Sequence, residues 1–148
     1  MPNNTAFVLK SAAEQNNALS TSAPFKFAIM EDGGALGSCN STPGCDLTGQ
    51  IITDLNYAYD NFETSPAYLT INDGSADRPA VFFFDPDRFG MLDWARVTSS
   101  IRGNPLLIFQ NFGGFDHAQS SGSISWVIIN TKDANDWGQS YLDRKSVV

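Results

Sequence analysis

Basic charge is scarce in this chain. Nine Lys and Arg are scattered through 148 residues against sixteen Asp and Glu, for a net charge of −7. Without a basic patch a phosphate backbone has little to dock on, so no nucleic-acid partner is expected. Histidine is rarer still. His117 stands alone, which excludes a His-rich metal site, and the two cysteines, Cys39 and Cys45, are not spaced as a CxxC pair. Neither a metal nor a cofactor is expected. No apolar run approaches the roughly 18 residues of a membrane span, so no membrane partner is expected either. Met1-Pro2-Asn3-Asn4-Thr5 has no basic or long apolar region, and no signal peptide is legible there. A P-loop, a GxGxxG after a strand and a GxSxG elbow are all missing, so nucleotide binding and serine-hydrolase chemistry gain no support.

Short apolar runs that stop at a polar residue are what the chain has instead. Pro79-Ala80-Val81-Phe82-Phe83-Phe84 ends at Asp85, and Pro24-Phe25-Lys26-Phe27-Ala28-Ile29-Met30 ends at Glu31-Asp32. Pro105-Leu106-Leu107-Ile108-Phe109 ends at Gln110-Asn111, and Ser125-Trp126-Val127-Ile128-Ile129 ends at Asn130. Continuous apolar runs suit strands buried on both faces, as in a parallel sheet covered by helices. The strands are expected over Phe25–Met30, Ala80–Phe84, Leu106–Phe109 and Ile124–Ile129.

Between them lie helical patterns. Ala6–Leu19 reads as a helix. Leu47, Ile51, Leu55, Ala58 and Phe62 recur at three and four residues behind Asp46, a plausible N-cap, with Asp60, Asn61 and Glu63 at the polar end. Asp93 caps a helix over Trp94–Ile101, and Asp133–Asp143 starts another. Ala67–Ile71 and the Asp73-Gly74 turn propose a small hairpin onto the organising strand. The fold class is therefore α/β with parallel βα units. At 148 residues the chain forms one domain but falls short of the ~250 residues of an eight-unit barrel.

Ligands of parallel α/β sheets bind at the C-terminal strand ends. Glu31, Asp32 and Asp85 are the candidate catalytic acids there, because two carboxylates in different environments divide acid from base or nucleophile work in glycoside cleavage. An acid after a strand also commonly caps the next turn, and Asp87 reads as a turn residue. Asn111, Asp116 and His117, in a Gly-rich loop, are candidates to hydrogen-bond sugar hydroxyls. Trp126, Trp94, Trp137 and Tyr68 offer faces for a pyranose ring, although Trp126 and Trp94 sit on apolar patterns more typical of a core. Cys39 and Cys45 flank a Ser/Asn/Thr/Pro/Gly loop. The favoured pairing is a local disulfide, which implies an oxidising compartment and a secreted protein, and the alternative is two free thiols. Asn40-Ser41-Thr42 fits the N-glycosylation pattern.

The segments Phe25–Asp32, Pro79–Phe84 and Ser125-Trp126-Val127 resemble glycoside hydrolases of the family 71 and family 99 type, over about Phe7 to Leu142. The resemblance implies a (β/α)8 TIM-like barrel acting on α-linked glucans or mannans. It places Glu31 and Asp32 beside the sugar at one strand end and Asp85 at the next. Such enzymes carry a Trp- and Glu-rich catalytic segment late in the barrel. Asp136-Trp137-Gly138-Gln139 lacks those glutamates, so a single incomplete barrel domain over 1–148 is expected, with open edges that favour self-association. The rival readings are a non-catalytic carbohydrate-binding domain and a small doubly wound α/β domain with another ligand.

Overall fold

Pro79 to Phe84 carries no charge, and an eight-residue strand forms around it. The computed structural model describes residues 4–19, 24–110 and 117–124. In it the chain runs α1 (Asn4–Leu19), β1 (Ile29–Asp32), a 3₁₀ turn (Gly33–Leu36), α2 (Gly37–Asn40) and α3 (Leu47–Ala58). A π-turn (Tyr59–Glu63) prolongs α3, followed by β2 (Thr70–Asn72), β3 (Asp77–Phe84), α4 (Trp94–Ser100), β4 (Leu106–Gln110) and β5 (Gly122–Ile124). The strands order as β1-β3-β4-β5, every neighbouring pair parallel, and β2 pairs antiparallel with the start of β3. The expected α/β class and the small hairpin are both present. Of the expected strand over 124–129 only Ile124 is described, as the last residue of β5; its remainder and the expected helix over 133–143 lie outside the described residues.

Strand alternation decides which residues meet the helices. Val81 and Phe83 of β3 are in register with Leu107 and Phe109 of β4, and all four are buried with Ile51 and Leu55 of α3 and Trp94 and Val97 of α4. Phe83 and Phe109 stack with centroids 4.9 Å apart, and Trp94 stands edge-on to both. Each ring kept from water contributes roughly 1.5–3 kcal/mol. Asp93 accepts from the Arg96 N–H and caps α4 as expected. Asp46 occupies the N-cap position of α3 without a side-chain cap bond, and its carboxylate pairs instead with Arg96 at 2.6 Å.

The first strand begins later than its apolar run suggests. The segment 67–69 is wedged between the run-in to β1 and β3: Phe27 donates to the Ala67 carbonyl, Leu69 donates to the Phe27 carbonyl, and Ala80 donates to the Leu69 carbonyl. Only beyond this wedge do β1 and β3 pair, from Ile29 opposite Val81. At the fork the Tyr68 hydroxyl accepts from the Ile29 N–H (3.1 Å) and donates to the Ala80 carbonyl (2.9 Å). It thereby satisfies two backbone groups the sheet leaves open. Tyr68 is 1 % exposed, so it is a structural wedge and not the sugar platform its sequence context allowed. Helix α1 closes this end, with Ala13 and Phe7 against Phe27, Ala58 and Phe62.

Candidate functional site

The C-terminal ends of β1, β3 and β4 carry Glu31, Asp32, Asp85 and Gln110, as the strand-end pattern implies. Two backbone contacts build this rim. A Cβ on Gly33 would collide with the Asp85 carbonyl, so glycine lets the loops after β1 and β3 touch. Asp85 adopts φ +47°, an uncommon conformation for a non-glycine residue, and its N–H donates to Gln110 Oε1 at 3.2 Å. The amide at the end of β4 thus holds the turn at the end of β3. The Asp85 residue itself is exposed.

Adjacent positions in a strand point to opposite faces, and this separates Glu31 from Asp32. Glu31 is in register with Phe83 and shares its helix-packed face; Asp32 is in register with Phe84 on the other. Asp32 accepts from the Gly34 N–H at 2.8 Å and caps the 3₁₀ turn, the capping role weighed for an acid after a strand. Glu31 is half-buried and its carboxyl is pushed up to about 7, first by burial, then by the charges of Asp54 and Asp32. Asp54 comes from α3, where Gln50 Nε2 donates to both its oxygens at 3.0 and 3.2 Å. Neither Gln50 nor Asp54 stood out in the sequence. They flank the apolar stripe of α3 at i and i+4 like any solvated pair, and only the fold brings the Asp54 charge to act on Glu31.

Asp87 anchors the turn after β3, accepting from the Leu92 N–H (2.8 Å) and from the Trp94 indole (3.1 Å). Trp94 is 4 % exposed and belongs to the core. His117 stacks on Phe109 with centroids 4.2 Å apart and meets Trp94 edge-on at 4.8 Å. Its Nδ1 is buried without a hydrogen-bond partner among the described residues. Burial lowers the imidazole pKa against the opposing pull of Asp87. Asn111, Asp116 and Trp126 lie outside the described residues.

Cys39 and Cys45 are joined in a disulfide that ties α2 to the loop before α3, with Cα atoms 5.4 Å apart. An intramolecular disulfide is compatible with an extracellular location. No helix among the described residues is long and apolar enough to cross a membrane. Among the described residues no group of three or more His, Cys, Asp or Glu side chains is disposed to hold a metal ion. Two hollows lie away from the rim. One of about 80 Å³ is lined by Arg78, Asn104, Pro105 and Ser121, and the other is a shallow groove along α1 at Phe7, Val8 and Ala12. Comparison with protein-family models, curated proteins and solved structures returned no match.

Proposed function

We propose that the chain is a glycoside hydrolase-like α/β domain that acts on an α-linked glucan or mannan at the C-terminal edge of its sheet. The observation that carries this reading is Glu31, a carboxyl at a strand end whose pKa stands at about 7. A carboxylic acid that keeps its proton near neutrality can protonate a glycosidic oxygen as the C–O bond breaks. Asp85, exposed on the neighbouring strand end, is the partner carboxylate for the anomeric side, as base towards water or as nucleophile. Asp32 positions the turn beneath them. The parallel strand order, with α3 and α4 on one face of the sheet, is compatible with the βα units of a (β/α)8-type arrangement. Secretion is part of the proposal and rests on the disulfide.

A non-catalytic carbohydrate-binding role is the second reading, and one observation favours it: the Asp32 carboxylate is engaged by the Gly34 N–H. Reducing-end release from α-glucans and α-mannans by the wild type, Glu31→Gln and Asp85→Asn decides between them. Hydrolysis by the wild type that either substitution abolishes supports the enzyme. Retention on a polysaccharide gel without hydrolysis, unchanged in Glu31→Gln, supports the binding module.

A further inference from the structure

A second carboxyl is buried at the opposite end of the sheet. Glu63, the last residue of the π-turn, is 9 % exposed, and its Oε2 has no hydrogen-bond partner among the described residues. The loop before β4 lies over it. Gly103, at φ +78°, sits so close that a Cβ there would strike the Tyr59 ring and come within 3.2 Å of Glu63 Oε2. Arg102 clamps the same loop to α3 and the π-turn. Its N–H donates to Asn56 Oδ1 (2.9 Å), its guanidinium pairs with Asp60 (2.6 Å), and it covers the Tyr59 ring at 5.4 Å.

We propose that Glu63 is the pH-sensitive latch of this junction: the loop 101–105 is closed over the π-turn while the carboxyl is protonated and loosens when it ionises. Among the described residues, the polar groups around it are already engaged elsewhere. The Arg102 guanidinium is committed to Asp60, Asn56 and Tyr59. Arg78 is committed to Asp73, Asn104 and Pro105. On α1, Lys10 donates to the Asn61 carbonyl and Glu14 accepts from Ser65. The Tyr68 hydroxyl donates to Ala80. An ionised Glu63 therefore keeps a buried Oε2 without a partner among the described residues, and water reaches that oxygen when the loop over Gly103 moves. Burial accordingly lifts the Glu63 carboxyl to about 7. π-turns inside helices often mark functional positions, and this one sets the carboxyl under the loop.

Hydrogen exchange of the Arg102 amide, which donates to Asn56, tests the latch in the wild type and in Glu63→Gln. After correction for the intrinsic pH dependence of exchange, opening in the wild type is expected to rise at least about tenfold between pH 5 and pH 8. In Glu63→Gln it is expected to stay level. Parallel profiles, or a flat wild-type profile, overturn the proposal. Carbon-13 titration of the Glu63 carboxyl in the wild-type chain adds an arm that needs no substitution. A midpoint near 7 sustains the latch and one in the ordinary glutamate range overturns it.

Discussion

Glu31 and Glu63 occupy opposite ends of one sheet and reach the same carboxyl pKa, about 7, by different routes. Glu63 is buried to 9 % exposure and burial alone lifts it. Glu31 is half-buried, and the charges of Asp54 and Asp32 add to the effect of burial. A site whose acidity depends on neighbouring charges can be retuned by changing those neighbours. One set by burial changes only when the structure around it opens. The first suits proton donation at a rim and the second suits a conformational latch.

The largest effect expected is on chemistry. Glu31→Gln removes the proton donor and should lower polysaccharide hydrolysis by about 10²–10⁴-fold, while Glu63→Gln leaves the rate at pH 5 within a small factor of wild type. Equal losses in both would dissolve the distinction between the two ends. The next effect is on stability. A carboxyl raised in the folded state stabilises the fold fully below its unfolded pKa of about 4.5, and that stability is lost as pH rises through about 7. For Glu63 the shift corresponds to about 3 kcal/mol. Urea unfolding at pH 4.5 and pH 8 should show Glu63→Gln gaining on the wild type at the higher pH. Glu31, raised likewise, adds to that loss, while the lowered His117 imidazole works in the opposite direction, adding stability as pH rises.

Tyr68→Phe tests the fork between the two ends. Losing the hydroxyl leaves the Ile29 N–H and the Ala80 carbonyl without that partner, at a cost of about 2 kcal/mol in urea unfolding. A neutral result would mean that water or a shifted backbone replaces it. The smallest effect is Asp54→Asn. It should lower the Glu31 midpoint yet leave it above the ordinary carboxylate range, because burial is the larger cause. Glu63 should not respond. A Glu31 midpoint unmoved by Asp54→Asn would show that the Asp54 charge does not set the two ends apart.

Much of this arrangement is legible in the residues. The run from Pro79 and its stop at Asp85 mark β3 and its end, because a continuous apolar stretch between a proline and an acid has few other uses. The stripe Leu47, Ile51, Leu55, Ala58 and Phe62 marks the buried side of α3 and its π-turn, and Asp93 caps α4. What stayed hidden depends on contacts between distant segments. The expected strand over Phe25–Met30 is displaced to Ile29–Asp32 because residues 67–69 take the pairing positions of Phe27. Glu63 looked like the polar end of a helix, and only the glycine loop forty residues later covers it. Glu31 and Asp32 read as a single acidic pair, but the two-residue period of the strand sends them to opposite faces, and the charge that acts most on Glu31 is Asp54.

Carbon-13 titration of the glutamate side-chain carboxyls, assigned by Glu31→Gln and Glu63→Gln, addresses both ends of the sheet at once. The account predicts midpoints near 7 for these two residues, with only the Glu31 midpoint falling in Asp54→Asn. Both titrating with the bulk of the glutamates, near 4.5, would contradict it.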